Sequence, residues 1–268
     1  MRSFSNNLRP DQLLESFFRM LASARRRALL LDYDGTLAPF QVRRDKAFPY
    51  PGVREILEAL LDAQHTRVVL ITGRWTKDLI PLLGLRHLPE IWGSHGWERL
   101  RPDGTYEVAK LDERALQGLA EADAGIEEEG LRNRCEQKPA SLAIHWRGLE
   151  PRVVKEIRAK VLESWAFLSW KTGLTVHEFD GGLELRVPGR NKGFAVETIL
   201  SEMGKEAAVA YLGDDSTDED AFKALKGKGL SILVRTELCP TAADIWLRPP
   251  EELLEFLSNW EQTCKGKK

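Results

Sequence analysis

The sequence predicts an α/β protein with a doubly wound, mostly parallel (Rossmann-like) core sheet and an inserted α+β cap domain. In both terminal parts of the 268-residue chain, short apolar runs alternate with stretches of helical periodicity, a pattern typical of a parallel sheet with helices on both faces. The middle of the chain instead contains paired segments of alternating hydrophobicity, which indicate an antiparallel sheet. We therefore expect a core domain of residues 1–102 and 189–268 and a cap domain of residues 103–188.

The first core segment contains three apolar runs and three helical stretches. The runs are short and continuous, so they are predicted to be buried strands. These strands are Ala28–Asp32, Arg67–Ile71 and Ile91–Trp92. Apolar residues three and four positions apart predict helices over Pro10–Ser23, Pro51–Gln64 and Trp75–Leu83.

The second core segment repeats this alternation of strands and helices. Apolar runs predict three more strands, over Ala207–Leu212, Leu230–Val234 and Ile245–Leu247. Periodic apolar positions predict three helices, over Asn191–Met203, Thr217–Leu225 and Pro249–Trp260. Ligands of such sheets bind beyond the carboxyl ends of the strands, so the residues directly after each strand are the candidate site.

The middle segment is expected to run strand, helix, two strands, helix and two strands. Alternating hydrophobicity predicts half-buried strands over Ser141–Trp146 and Leu183–Val187, and helices are predicted over Asp112–Glu129 and Pro151–Trp165. Paired strands with two helices on one side are typical of an antiparallel α+β module.

Composition excludes several classes of protein. With 39 basic and 41 acidic residues the formal net charge is −2, so no nucleic-acid partner is expected. The three cysteines are far apart and form no CxxC pair, which argues against a disulfide framework or a zinc site. The apolar runs are too short to cross a bilayer, and Met1–Pro10 contains no apolar signal segment. We expect a cytoplasmic protein with no membrane partner.

The first chemical motif is Asp32-Tyr33-Asp34-Gly35-Thr36, directly after a predicted buried strand. Two aspartates spaced i, i+2 at a strand end can direct both carboxylates toward one pocket, and Gly35 allows a sharp turn. Such a pair can bind Mg²⁺ through oxygen ligands, or one carboxylate can attack phosphorus. An ordinary Asp-rich turn has the same composition.

Two further motifs offer groups that bind phosphate. Thr72-Gly73-Arg74 comes directly after a predicted strand, where the Thr72 hydroxyl and backbone N–H groups such as that of Gly73 can contact phosphate oxygens. Alternatively, Thr72 caps the next helix. Lys192 precedes a predicted helix and could neutralise charge on a nucleophile and a phosphate, although a single lysine is more often a solvated surface residue.

The fourth motif is the acidic run from Gly213 to Phe222, GDDSTDEDAF. Five acidic residues within seven positions repel one another unless a cation or a basic group lies nearby. An acidic helix start accounts for Glu219 and Asp220. It accounts less well for Asp214 and Asp215, which come directly after a buried apolar strand.

In this order along the chain, the four motifs resemble the haloacid dehalogenase superfamily of phosphotransferases. The resemblance implies that Asp32 is the nucleophile and Asp34 the general acid/base, and that Thr72, Gly73 and Lys192 bind phosphate. It implies Mg²⁺ as the cofactor, with four aspartates at the metal and a supporting carboxylate nearby. The metal residues are Asp32, Asp34 (through its carbonyl), Asp214 and Asp215, and the supporting residue is Asp218.

Three more strings are similar to the trehalose-6-phosphate phosphatase family. They are Gly93–Glu98 (GSHGWE), the Glu136-Gln137-Lys138 and His145-Trp146-Arg147 pair, and Gly182–Arg186 (GLELR). Trp146 departs from the family pattern, which has tyrosine there. The resemblance implies hydrolysis of trehalose 6-phosphate, with substrate contacts from cap residues: Glu136, Lys138, His145, Arg147 and Glu184. We expect His95 to be buried and bonded to backbone groups.

Several alternatives share these motifs. The same chemistry could act on sucrose phosphate, on a glycosyl-phosphoglycerate or on a broad range of phosphates. A phosphomutase would return the phosphoryl group to its substrate, and a regulatory domain would sense a sugar phosphate without turnover. The presence of all the core carboxylates and Lys192 disfavours the sensor. We expect a monomer, and any trehalose-6-phosphate synthase partner would be a separate chain.

Overall fold

The computed structural model describes residues 9–179 and 181–265. It divides into two compact units, one formed by residues up to 107 together with those from 191 onward, and the other by residues 108–190. No helix among the described residues is long and apolar enough to cross a membrane.

The elements of the described chain alternate as an α/β protein requires. The strands are β1 (Arg27–Leu31), β2 (Arg67–Ile71), β3 (Glu90–Gly93), β4 (Glu98–Leu100), β5 (Tyr106–Val108), β6 (Cys135–Lys138), β7 (Ser141–His145), β8 (Thr175–Phe179), β9 (Gly182–Arg186), β10 (Ala208–Gly213), β11 (Leu230–Val234) and β12 (Ile245–Leu247). The helices are α1 (Pro10–Ser23), α2 (Val53–Ala63), α3 (Thr76–Leu83), α4 (Glu113–Glu128), α5 (Pro151–Thr172), α6 (Lys192–Met203), α7 (Glu219–Leu225) and α8 (Glu251–Lys265).

The core sheet has the order β12-β11-β10-β1-β2-β3-β4-β5. From β12 to β3 all pairs are parallel, and β4 pairs antiparallel with β3. Helices cover both faces, because Leu29 and Leu31 of β1 pack in one cluster with α1, α2, α3 and α8, whereas Leu30 packs in another with α6 and α7. The apolar runs are continuous since both faces of these strands are buried.

The second unit contains a four-stranded antiparallel sheet in the order β6-β7-β9-β8. Its strands alternate, so Leu142 and Ile144 of β7 lie on the opposite face from Ser141, Ala143 and His145. Helix α4 contacts β7, and α5 contacts β8 and β9. The sheet therefore has one apolar face and one face that carries polar side chains.

The structure confirms the predicted fold class of a mostly parallel core sheet with a separate antiparallel sheet. The bounds of two predicted helices differ most from the structure. Helix α5 extends past Trp165 because Leu168 and Thr172 continue its buried stripe, and it ends where Gly173 adopts a φ of +79°. Helix α8 begins at Glu251 and continues past Trp260, since Cys264 is also buried against the core.

Candidate active site

Neighbouring strands of the core sheet bring the predicted site residues together. Asp32, Thr72 and Asp214 come directly after β1, β2 and β10, which lie side by side in the order β10-β1-β2. The Asp32 N–H donates to the carbonyl of Leu212 at 2.8 Å, so the two strands remain paired up to the point where their aspartates emerge. Because parallel strands end at the same edge of a sheet, Asp32 and Asp214 meet despite their separation along the chain.

Lys192 connects the nucleophile candidate to the acidic run. Its Nζ lies 2.7 Å from Asp32 Oδ1 and 2.7 Å from Asp218 Oδ1, and all three side chains are buried. Burial alone would lower the pKa of Lys192, but the charges of Asp218 and Asp32 outweigh burial and raise the pKa well above its usual value. Lys192 is therefore a fixed positive charge beside Asp32.

The carboxylate of Asp218 is saturated with donors. Lys192 and the Tyr211 hydroxyl both donate to its Oδ1, and the backbone N–H groups of Asp214 and Asp215 both donate to its Oδ2 at 3.1 Å. A carboxylate has about four acceptor positions, so Asp218 is engaged in holding Lys192 and the turn after β10.

Asp214 packs directly against the turn that comes after Asp34. A Cβ built on Gly35 would come within 2.1 Å of Asp214 Oδ2, and Gly35 has a φ of +83°. Position 35 requires glycine for both reasons, since any side chain would displace Asp214 and would be strained in the left-handed region.

The carboxylates of Asp32 and Asp214 fit a hard divalent cation, whereas Asp218, the third member of the cluster, is already occupied by its four donors. One oxygen from each of Asp32, Asp214 and Asp218 lies within 4.8 Å of the others. Asp214 is 3% exposed, and within the described chain its carboxylate accepts no hydrogen bond. Burial, together with the charges of Asp32 and Asp215, raises its pKa well above the usual value. A buried carboxylate without donors needs a positive charge, and an all-oxygen site suits Mg²⁺.

Asp215 lies outside this cluster of three carboxylates. Its Oδ1 accepts from the Thr217 N–H at 2.7 Å and from the Thr217 hydroxyl at 2.6 Å. Burial would raise the pKa of Asp215, but the charge of Lys192 and the donors of Thr217 lower it. Its charge therefore contributes to the field at Lys192, while its side chain shapes the turn.

Asp34 forms a bidentate ion pair with Arg74. Arg74 Nε and Nη2 each lie 2.6 Å from one carboxylate oxygen of Asp34, and Arg74 Nη1 donates to the Arg44 carbonyl at 3.0 Å. The guanidinium is 4% exposed and fixes the planar carboxylate in one orientation. It thus joins the two loops that leave β1 and β2.

Thr72 does not cap α3, which begins four residues later with Trp75 at the N-cap. The hydroxyl of Thr72 accepts from the Arg74 N–H at 3.1 Å, so it shapes the loop between strand and helix. Gly73 is packed so closely that a built Cβ would lie 2.6 Å from the ring of His95. His95 is buried, as expected, and its backbone N–H donates to the Thr72 carbonyl at 3.0 Å.

Within the second unit, four of the five predicted substrate residues lie on the polar face of the antiparallel sheet. Glu184 is 1% exposed, and its Oε1 accepts from Lys138 Nζ at 2.6 Å and from Ser141 Oγ at 2.7 Å. Its Oε2 accepts from Arg186 Nε at 2.6 Å. The result is a buried cluster of charged groups held in fixed positions.

Glu136 and His145 form a second polar pair on the same face. His145 Nε2 lies 3.1 Å from Glu136 Oε2, and Lys138 Nζ lies 3.6 Å from that same oxygen. Arg147, the fifth predicted residue, lies beyond the end of β7, where a Cβ built on Gly181 would come within 3.1 Å of Arg147 Nε.

Several side chains that hold the predicted site residues in place were not predicted from the sequence. No role was predicted for Arg74 beyond its place in the Thr72–Arg74 motif. Tyr211 was predicted only to be a residue of an apolar strand. Ser141 and Arg186 also donate to a predicted substrate residue, although neither was predicted to do so. The signal for Arg74 and Arg186 was present, since both lie within a motif, whereas Tyr211 has no sequence feature that distinguishes it from a core aromatic.

The described chain has the haloacid dehalogenase-like fold, with the carboxylate–lysine cluster at the carboxyl ends of its parallel strands. A haloacid dehalogenase-like hydrolase from Bacteroides thetaiotaomicron superposes with a TM-score of 0.62 at 18% identity, covering 87% of this chain and 98% of that one. The C-terminal domain of Candida albicans trehalose-6-phosphate phosphatase superposes with a TM-score of 0.76 at 20% identity, covering 98% and 99%. At these identities the likeness concerns the fold alone.

The family model described as trehalose-phosphatase matches residues 30–244. This chain belongs to the trehalose-phosphatase family, as its motifs predicted, and is thus a member of a family of enzymes.

Two curated relatives are each more than 30% identical to this chain. A probable trehalose-phosphate phosphatase from Oryza sativa is 31% identical over 256 residues, covering 85% of this chain and 68% of that protein. A Mycobacterium tuberculosis protein described as an uncharacterized glycosyl hydrolase is 34% identical over 266 residues, covering 93% of this chain. The chain spans only 19% of that relative's length.

Proposed function

We propose that this chain is a Mg²⁺-dependent phosphatase that hydrolyses trehalose 6-phosphate to trehalose and phosphate through an aspartyl-phosphate on Asp32. The observation that carries the proposal is the contact between Asp32 and Lys192, with Asp214 beside them at the ends of adjacent strands. Membership of the trehalose-phosphatase family supports the sugar phosphate as substrate.

In the first step, Asp32 attacks phosphorus and the bond to the sugar oxygen breaks. One Asp32 oxygen is held by Lys192 at 2.7 Å and the other by the Thr36 hydroxyl at 3.1 Å, which leaves a lone pair on each oxygen for attack. Lys192 and backbone N–H groups of the Thr72–Arg74 loop would stabilise the charge on the phosphate oxygens. Asp32, Asp214 and the Asp34 carbonyl would hold Mg²⁺, which supplies further positive charge when bound.

Asp34 acts at both steps of the proposed reaction. It donates a proton to the departing sugar oxygen, because an alkoxide is a poor leaving group near neutral pH. In the second step Asp34 accepts a proton from water, which attacks the aspartyl-phosphate and releases phosphate from Asp32. The ion pair with Arg74 keeps the Asp34 carboxylate oriented.

The polar face of the second unit is the proposed sugar-recognition surface. Sugar hydroxyls are both donors and acceptors, and charged partners bind them through directional, charge-assisted hydrogen bonds. Lys138 and Arg186 are fixed by Glu184, so their remaining N–H groups are preorganised donors. Glu136 and His145 offer acceptor and donor groups from the neighbouring strands.

Phosphate release from a panel of sugar phosphates tests the proposal. The panel contains trehalose 6-phosphate, sucrose 6-phosphate, glucose 6-phosphate and glucosyl-3-phosphoglycerate, each with Mg²⁺ and with excess chelator. We expect release from trehalose 6-phosphate at least tenfold faster than from the others, and only with Mg²⁺. Faster release from another member would assign the chemistry to a different sugar phosphate, and no release from any member would contradict phosphatase activity.

A further inference from the structure

The Gly93–Glu98 string forms a tight turn whose role the proposed reaction does not explain. Ser94 and His95 adopt φ values of +50° and +55°, a left-handed conformation that side chains other than glycine rarely adopt. A strained turn persists only when its surroundings hold it in place. The turn formed by Ser94, His95 and Gly96 is held by contacts on both of its sides and by Glu98.

One side of this turn supports the Thr72–Arg74 loop. The Ser94 N–H donates to the Arg74 carbonyl at 2.8 Å, and the His95 N–H donates to the Thr72 carbonyl at 3.0 Å. The His95 ring covers Gly73, where a built Cβ would lie 2.6 Å away. These contacts hold both ends of the loop that carries the Thr72 hydroxyl and the Arg74 guanidinium.

The other side of the turn lies against the start of α6, which carries Lys192. A Cβ built on Gly96 would come within 3.1 Å of the Asn191 carbonyl oxygen. Gly96 also has a φ of +93°, so a side chain would be strained there as well. The turn therefore lies between the two elements that the proposed reaction uses to bind phosphate.

Glu98 holds the turn from the adjacent strand. Its Oε1 accepts from the Ser94 hydroxyl and from the Thr76 N–H, each at 2.8 Å, and its Oε2 accepts from the Tyr106 hydroxyl at 2.6 Å. Since the α3 N-cap residue Trp75 makes no side-chain cap, Glu98 satisfies that helix end from a distant position. A single carboxylate thus links the turn to the helix that comes after the Thr72–Arg74 loop.

Glu98 is buried without a cation. It is 1% exposed, and among the described residues it forms no ion pair. Glu90, on the paired strand β3, is also buried but bonds to Arg67, Arg99 and Trp92. A buried carboxylate without an ion pair depends on its hydrogen bonds, and among the described residues Glu98 accepts them from Ser94, Thr76 and Tyr106.

We propose that Glu98 is a positioning residue, which fixes the Ser94–Gly96 turn and thereby sets the distance between the Thr72–Arg74 loop and Lys192 for binding of the phosphoryl group. This inference rests on the proposed function for the identity of the ligand. It assigns to Glu98 an effect on phosphate binding that is separable from its contribution to stability.

The test compares Glu98→Gln with Glu90→Gln, a matched replacement of a buried carboxylate on the paired strand. Binding of orthovanadate with Mg²⁺ is measured by calorimetry, alongside melting temperature and kcat and KM for p-nitrophenyl phosphate. We expect Glu98→Gln to weaken vanadate binding and lower kcat, each on the order of tenfold. Glu90→Gln should lower the melting temperature and leave vanadate affinity within about twofold.

The proposal would be overturned if both variants lost vanadate affinity equally. It would also be overturned if Glu98→Gln lowered the melting temperature and left vanadate affinity unchanged. If Glu98→Gln does not fold, Tyr106→Phe decides, because Tyr106 is 48% exposed and its hydroxyl can be removed without opening the core. A weaker vanadate affinity in Tyr106→Phe supports the role, and an unchanged affinity contradicts it. Wild-type protein that binds vanadate without hydrolysing trehalose 6-phosphate would contradict the proposed substrate, and the vanadate comparison would still decide the role of Glu98.

Discussion

Lys192 Nζ lies 2.7 Å from Asp32 Oδ1, although the two residues are 160 positions apart in the chain. The contact exists because α6 begins beside the carboxyl end of β1, where Asp32 leaves the sheet. Both groups are buried, and Asp218 and Thr36 complete the hydrogen bonding around them. In the proposed reaction, turnover depends on how well the cation and the phosphate match these fixed charges.

Asp214 is the carboxylate that most needs a cation, so Asp214→Asn should abolish the effect of Mg²⁺ on stability. A ligand that binds the folded state raises the melting temperature, and we expect Mg²⁺ to do so for the wild type. The measurement is a thermal melt with chelator and with Mg²⁺. An Mg²⁺-dependent shift of wild-type size in Asp214→Asn would contradict the assignment of this ligand.

Arg74→Lys should lower kcat on the order of tenfold or more, although it keeps the charge. Lysine cannot reproduce the bidentate contact with Asp34 or the third contact with the Arg44 carbonyl. Steady-state kinetics with trehalose 6-phosphate provide the measurement. Wild-type kcat in this variant would show that the orientation of Asp34 by Arg74 does not matter for turnover.

Glu184→Gln should reduce kcat/KM for trehalose 6-phosphate by about ten- to a hundredfold, while kcat/KM for p-nitrophenyl phosphate stays within about twofold. The physical reason is that Glu184 holds Lys138 and Arg186 as hydroxyl-binding donors, which an aryl phosphate does not use. The control is Glu178→Gln, since Glu178 pairs with Arg158 in an exposed position on the other face. Equal losses on both substrates would contradict sugar recognition by this face.

The ion pairs that Glu202 forms with Arg67 and Arg99 should make the free energy of unfolding of the wild type fall in acid. Partial burial alone would raise the pKa of Glu202, but hydrogen bonds and charge from Arg99 and Arg67 outweigh burial and lower it from 4.5 to about 2. Because the folded-state pKa is depressed, the stabilisation is complete above pH 4.5 and is lost as the pH falls toward 2. Urea unfolding between pH 5 and pH 3 should show a shallower loss of stability in Glu202→Gln than in the wild type or in Glu255→Gln, a change at an exposed glutamate. Identical slopes in all three proteins would contradict this.

The core sheet, and the edge at which Asp32 and Asp214 lie, could be predicted from the sequence for a physical reason. Strands buried on both faces have continuous apolar runs, so β2 and β11 were predicted with the bounds that the structure gives them. Parallel strands end at one edge, which places Asp32 next to Asp214. The alternation of apolar runs and helices is therefore enough to predict the edge of the sheet where the aspartates lie, whereas the order of the strands was not predicted and comes from the structure.

Strand β4 was not predicted, because two of its three residues are charged and charged residues do not indicate a buried strand. Arg99 is 6% exposed yet lies in a strand, since Glu90 and Glu202 neutralise it. The pairing of Arg74 with Asp34 was missed for a related reason, since it depends on how two loops approach each other, and periodicity carries no information about loops. The motifs contain Arg74 and Arg186, but the sequence could not show which buried polar groups these side chains contact.

Phosphate release from trehalose 6-phosphate by Asp32→Asn tests the central claim most directly, because asparagine keeps the size of the side chain and removes the attacking carboxylate. The variant must first melt cooperatively, which shows that it is folded. We predict a loss of kcat of at least on the order of a thousandfold, with Mg²⁺ present and with Glu178→Gln retaining wild-type turnover. Turnover by folded Asp32→Asn within about tenfold of the wild type would contradict Asp32 as the nucleophile.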